Sequence, residues 1–320
     1  MEDEIPNDPL SYQTEGAQND QTHFHIDLAL IPLILIYLPL IFTFKINSLP
    51  HLIKELVGTI IPCCVISGCR IIIEYFILRP LFHSLLPFSL PKLHRREKGH
   101  LYATSIYDIC INFILIPFSF HVFRLEDWFP SELFGKEKTN SFLLFENYPN
   151  ILLSSSLLFF ICFQLGHIIH SIIFQFVTSF TQYNEIAYQL LKGLFLIYTF
   201  IIHYYRFSVI FIIILDILEV IKNIEFLKQN LNIKFSFIIS LCSLLIILRV
   251  LYIIPFCIIK PLFDNYSILV DEENKWFDIG SFIIVFLSIA ALLFLLLFDI
   301  ILLYRKLILG WYSIKSQQFI

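Results

Sequence analysis

Apolar residues along this chain come in long runs, not in the alternation of a strand or the stripe of a water-facing helix. Eight runs approach the ~20 residues that a membrane-spanning helix needs. They cover roughly 28–44, 57–78, 101–123, 151–176, 186–203, 207–227, 235–259 and 280–303. The pattern predicts an all-α membrane protein, a polytopic bundle of seven or eight transmembrane helices. The count is open at two places. The first run is short and carries Pro32 and Pro39. The fifth and sixth are parted only around His203 to Arg206, so either could be re-entrant or tilted.

The polar stretches divide the chain into four parts. Residues 1–27 form an acidic tail, with Glu2, Asp3, Glu4, Asp8, Glu15 and Asp20 and no Lys or Arg, a composition expected to be disordered. No basic segment precedes the first apolar run, so a cleaved signal peptide is not expected. Residues 28–100 hold the N-terminal transmembrane helices and a basic loop, 101–303 the main helical bundle, and 304–320 a short C-terminal tail. The loop 79–100 carries Arg79, Lys92, Arg95, Arg96 and Lys98, which predicts a cytosolic position. The loop 260–279 is acidic and falls on the opposite side. It contains Asn265-Tyr266-Ser267, so Asn265 is a glycosylation candidate.

Composition agrees with lipid as the solvent. Hydrophobic residues make up 58% of the 320 and charged residues 15%, whereas soluble domains carry about a quarter charged residues. The net charge of −4 and the lack of a basic domain argue against nucleic-acid binding. The seven cysteines all lie in apolar runs without metal-ligand spacing, so they read as packing thiols, and no metal or bound cofactor is expected.

Ionisable groups inside apolar runs are costly, at least ~2.5–3.5 kcal/mol near a bilayer centre on insertion scales, and therefore informative. Arg70 and Glu74 stand four apart and form a predicted structural pair. His167 and His170 share a helix face; they could serve as a base or equally as packing hydrogen bonds. Asp216 and Glu219 lie one turn apart, and two carboxylates in lipid need a nearby cation. Arg249, deep in the seventh run, is the expected partner. Asp108 and Asp299 receive no specific role.

With these residues in view, the chain resembles the TLC-domain superfamily, and within it the longevity-assurance-type ceramide synthases. The residues carrying the resemblance are Leu248 to Phe256, with Arg249 and Pro255; Arg206 followed by Asp216 and Glu219; Tyr148-Pro149 leading to Gln164-Leu165; Trp128; and Arg70, Glu74 and Pro80-Leu81. It runs from about residue 60 to 303. The chain departs from the family in lacking its adjacent histidines, which fall where this sequence reads Leu190-Leu191, and in holding Leu215 in place of the histidine before Asp216.

The resemblance implies an endoplasmic reticulum membrane protein of sphingolipid metabolism. Its reaction would be N-acylation of a sphingoid base, with acyl-CoA as co-substrate. Candidate catalytic residues are His167, His170 and Asp216, the histidines replacing the missing pair as base and Asp216 orienting one of them. Arg206, Glu219 and Arg249 are the candidate substrate- or lipid-binding residues. The alternative is a non-catalytic TLC protein, either associated with the translocon or binding and regulating lipids. Expected partners are membrane lipids, further copies or other subunits of an oligomer, and in the alternative the translocon.

Overall fold

The computed structural model describes residues 59–86, 91–136, 141–146, 148, 153–177, 183–231, 236–269 and 275–317. The acidic tail 1–27 and the predicted first span 28–44 lie outside the described residues. Within them, regular structure is entirely helical. α1 covers Ile60–Leu85, α2 Lys92–Phe123, α3 Ser155–Val177, α4 Tyr183–Ile201 and α5 Tyr205–Leu231. α6 runs over 236–264, built from Ser236–Ile254, a π turn Pro255–Ile259 and Lys260–Asp264. α7 is Lys275–Gln317.

Five of these helices, α1, α2, α3, α6 and α7, are long and apolar enough to cross a membrane. The chain is a multi-pass membrane protein. The same five present large apolar side chains outward, among them Ile61, Ile72, Phe113, Phe159, Leu245, Leu248, Phe294 and Ile301. No exposed large apolar residue among the described ones comes from α4 or α5. These two helices sit inside the ring. α5 touches α2, α3, α4, α6 and α7, and every side chain from Phe207 to Asp216 is buried. From Phe207 to Leu215 α5 is almost wholly apolar on every face, as suits a segment surrounded by other elements, and the outward apolar side chains belong to the other five helices.

Several predicted boundaries move. The 79–100 segment is mostly not a loop: α1 continues to Leu85, and α2 begins at Lys92, nine residues ahead of the predicted start. Apolar run length missed this because charged residues also make good helix exteriors once past the lipid. The expected tail 304–320 is likewise helix through Gln317. α7 is about 64 Å long at 1.5 Å per residue, well beyond the ~30 Å hydrocarbon layer. The near-continuous fifth and sixth runs are two helices joined by a tight turn. His203 turns the chain in a left-handed conformation (φ 63°), and its Nδ1 meets the Tyr205 hydroxyl at 2.6 Å.

One end of the bundle is closed by the α2–α3 connection. Trp128, Phe129, Leu133, Leu144 and Phe145 are buried there. Phe145 packs edge-on against Tyr204 and nearly parallel to Phe207 at the start of α5. The α1–α2 hairpin lies at the other end. Along the chain the basic segment stands between α1 and α2 and the acidic one between α6 and α7. Two glycines set the helix spacing. A Cβ on Gly166 would come within 2.9 Å of the Cys63 amide nitrogen, which places α1 directly against α3; one on Gly193 would lie 3.1 Å from Ile168, between α3 and α4. Small residues at such crossings are how membrane helices approach closely.

Candidate functional site

The middle of the bundle holds a buried ion triplet. Lys192, midway along α4, extends its ammonium between two carboxylates one turn apart on α5. Nζ lies 2.8 Å from Asp216 Oδ1 and 2.8 Å from Glu219 Oε1. Lys192 is 0% exposed, Asp216 1% and Glu219 4%. The remaining carboxylate oxygens are also taken. Gln164 Nε2 of α3 donates to Asp216 Oδ2 at 2.7 Å, and Asn112 Nδ2 of α2 donates to Glu219 Oε2 at 3.3 Å. Four helices thus converge on one pair of acids. This is how buried charges survive: paired, and with their residual lone pairs filled.

The triplet continues along α5 at every third residue: Asp216, Glu219, Lys222, Glu225, Lys228. Steps of three fall 60° short of a full turn, so the row winds around the helix and reaches successive neighbours. Lys222 Nζ meets Glu185 Oε2 of α4 at 2.6 Å, and Gln189 supports that acid at 3.1 Å. Lys228 pairs with Glu225 and the Ser240 hydroxyl of α6, and Tyr304 of α7 donates to the Ser240 carbonyl at 3.2 Å.

Around the triplet, several buried polar atoms have no hydrogen-bond partner among the described residues: His167 Nδ1, Gln164 Oε1, Asn112 Oδ1 and Gln189 Oε1. The Tyr188 hydroxyl turns toward Glu219 without closing a well-formed bond. Its ring lies 6.0 Å from Lys192 Nζ. Native interiors leave few such groups, so a concentration of them marks a place built for polar company.

The predicted residues are sorted as follows. Asp216 and Glu219 are together at the centre. His167 is buried one turn along α3 from Gln164. His170 faces elsewhere, with Nδ1 2.6 Å from Ser67 Oγ on α1. Asp216 is hydrogen-bonded to Lys192 and Gln164, and to neither histidine. Arg249 is not the partner of the acids; it is exposed on α6, with its guanidinium 5.6 Å from the Tyr252 ring centroid. Arg206 stands ten residues along α5 from Asp216, about 15 Å, and donates to the Leu143 carbonyl at 2.6 Å, tying α5 to the end cap. Arg70 and Glu74 pair as expected, Nε to Oε2 at 2.6 Å. Asn265 is fully buried, and its Nδ2 donates to the Pro261 carbonyl at 2.7 Å. That enclosed nitrogen argues against the glycosylation assignment.

Lys192 is the residue that sequence reasoning missed. It is the one formal charge between Glu185 and Arg206, in the apolar stretch Leu190-Leu191-Lys192-Gly193-Leu194. That isolation was the available signal. The side chain on this stretch that reaches Asp216 is that of Lys192, next to the uncharged Leu190 and Leu191. No protein-family model matches the chain, and no curated protein matches it either. Among the described residues no cluster has the composition of a metal site.

Proposed function

We propose that this chain is a TLC-type protein of the endoplasmic reticulum membrane, built like the ceramide synthases and working in sphingolipid metabolism. In this reading α4 and α5 cross the membrane inside the outer ring, and the 28–44 run supplies an eighth span. The observation that carries it is the convergence of Gln164, Lys192, Asp216 and Glu219 from three successive helices. It sets the stretch where the family has its histidines against the stretch where the family has its acidic motif. Lys192 fills the place opposite Asp216.

The reaction would be acyl transfer from the thioester of acyl-CoA to the amine of a sphingoid base. His167, with Nδ1 free, takes the proton released as the amide C–N bond forms, and returns it to the departing thiolate as the C–S bond breaks. Lys192 commits two N–H groups to Asp216 and Glu219 and keeps a third for the developing oxyanion. The test is N-acylation of sphinganine by palmitoyl-CoA in membranes that lack other ceramide synthases. Activity that falls at least a hundredfold with His167→Ala, while His170→Ala retains it, supports the assignment. No product, or product insensitive to His167→Ala, removes it.

The occupied oxygens of Asp216 favour a second reading, in which the frame is kept and the chemistry is not. Lys192 then serves as an internal counter-ion and the protein binds lipids or translocon components without turnover. Membranes without acylation, from which the folded protein co-purifies with translocon subunits or retains bound sphingolipid, would select this second reading.

A further inference from the structure

The seam between α4 and α5 is polar along one half and apolar along the other. In the polar half α4 carries Glu185, Tyr188, Gln189 and Lys192, at spacings of three and four that share one helix face. α5 answers with Lys222, Glu219 and Asp216. Lys222 meets Glu185 at 2.6 Å, and Lys192 meets Glu219 and Asp216 at 2.8 Å. The Tyr188 ring links these two sets of contacts, its centroid 5.7 Å from the Lys222 ammonium and 6.0 Å from that of Lys192.

Exposure falls along this half. The Glu185 side chain is 24% exposed and that of Lys222 13%, whereas Tyr188, Gln189 and Lys192 are buried. On α2 the same gradient appears one turn apart, from the partly exposed Asp108 to the buried Asn112 that reaches Glu219. The outer end of the seam lies toward the α1–α2 hairpin. α3 ends at Val177 and α4 starts at Tyr183, so the two run antiparallel, with Gly193 against Ile168. Glu185 therefore stands near the end of α3, where the Phe174 ring lies 6.1 Å from that of His100, just after Arg95, Arg96 and Lys98.

Past Lys192 the seam closes. Phe195 packs edge-on against Phe211 at 5.0 Å, and both are fully buried. Thr199 and Ser208 return their hydroxyls to carbonyls of their own helices at 2.9 and 2.8 Å, the Ser208 partner being Tyr205. Tyr204, Phe207 and Phe145 then cap the bundle end.

Inside the polar half three amides have their nitrogens fixed by carboxylates: Gln189 on Glu185, Asn112 on Glu219 and Gln164 on Asp216. The atoms left over are the carbonyl oxygens Gln189 Oε1, Asn112 Oδ1 and Gln164 Oε1, all buried and without a partner among the described residues. A carbonyl oxygen is satisfied by a donor, and water is the donor that buried polar groups ordinarily recruit.

We propose that the α4–α5 seam holds a file of bound water that connects the central triplet to one side of the membrane, entering between Glu185 and Lys222. Rows of ionisable groups inside membrane helices commonly serve as such water and proton paths. Water enters from the hairpin end and stops at the Phe195–Phe211 contact, so the triplet exchanges protons with that side alone, whatever reaction it serves.

The test is hydroxyl-radical footprinting by synchrotron X-rays of the full chain in nanodiscs, mapped by mass spectrometry, which oxidises side chains next to water. Tyr188 and His167 should be oxidised at least about tenfold faster than Tyr198, Phe195 and Phe211, although all five are buried, because bound water lies beside the first two. Gln189→Leu removes one of the spare carbonyls and should slow Tyr188 about fivefold while Phe195 and Phe211 stay protected. Oxidation of Phe195 and Phe211 in that variant would reveal a lost fold, and Glu185→Met at the mouth then carries the same expectation. Tyr188 oxidised as slowly as Tyr198, or Tyr198 and Phe211 oxidised as fast as Tyr188, overturns the proposal. So does Tyr188 oxidation that a folded mouth or seam variant leaves unchanged.

Discussion

Replacing Lys192 with methionine should be among the most damaging single changes in the chain. The side chain keeps its length and apolar body but loses its ammonium. Each 2.8 Å contact is worth roughly 6 kcal/mol of direct attraction at an effective dielectric of about 20, most of it offset by the cost of taking the charges out of water. The net worth of the intact triplet is therefore small, while the cost of breaking it is not. Two carboxylates would remain buried with Gln164 and Asn112 as their only donors. Removing one member of a buried pair typically costs about 3–5 kcal/mol, and a shift of the melting midpoint of order 10 °C follows. Thermal melting of the detergent-purified protein, followed by size-exclusion fluorescence, measures it. The triple variant Lys192→Met, Asp216→Asn, Glu219→Gln should recover most of the loss, because no unpaired charge is left inside. A Lys192→Met protein that melts within about 0.5 kcal/mol of the parent, the range of ordinary surface changes, would refute the buried triplet.

Two further outcomes follow from the same geometry. Gly166→Leu should cost at least about 1–3 kcal/mol by overpacking the α1–α3 crossing, since even a Cβ there meets the backbone of Cys63 and Pro62 Cβ at 2.9–3.0 Å; melting, together with loss of an engineered α1–α3 disulfide crosslink, would register it. Arg249→Ala should change stability by no more than about 1 kcal/mol, the scale of an exposed cation–π contact, and should leave any acylation activity intact; a large loss would restore Arg249 as the partner of the acids.

Much of the frame was legible in the chain itself. Run length against bilayer thickness identifies each of α1 to α7 as a helix, because that criterion depends only on composition along a segment; the short turns Ser131–Leu133, Ser141–Leu144 and Tyr266–Leu269 lie outside the runs. The Arg70–Glu74 pair was legible too, since a four-residue spacing brings two side chains together within one helix. Helix ends were less so. Lys92 to Lys98 are largely basic, and the stretch after Leu303 opens on Tyr304, Arg305 and Lys306; nothing in hydropathy separates a charged helical extension from a charged loop.

The partner of the acids was beyond sequence. Arg249 and Lys192 are both lone cations in apolar runs, and intrahelical spacing cannot rank them, because which face of α4 or α6 meets α5 is decided by packing between helices far apart in sequence. Packing put α5 at the centre, turned Lys192 inward onto Asp216 and Glu219, and left Arg249 on the outer surface of α6. The same packing explains why α4 and α5 tolerate a row of enclosed charges where the outer helices carry so few at their lipid faces: a charge enclosed by other helices can be paired, and one facing lipid cannot. The sequence by itself therefore determined a membrane-embedded helical bundle with charges that must be hidden. Only the tertiary structure decided which helices do the hiding and which cation meets which acid.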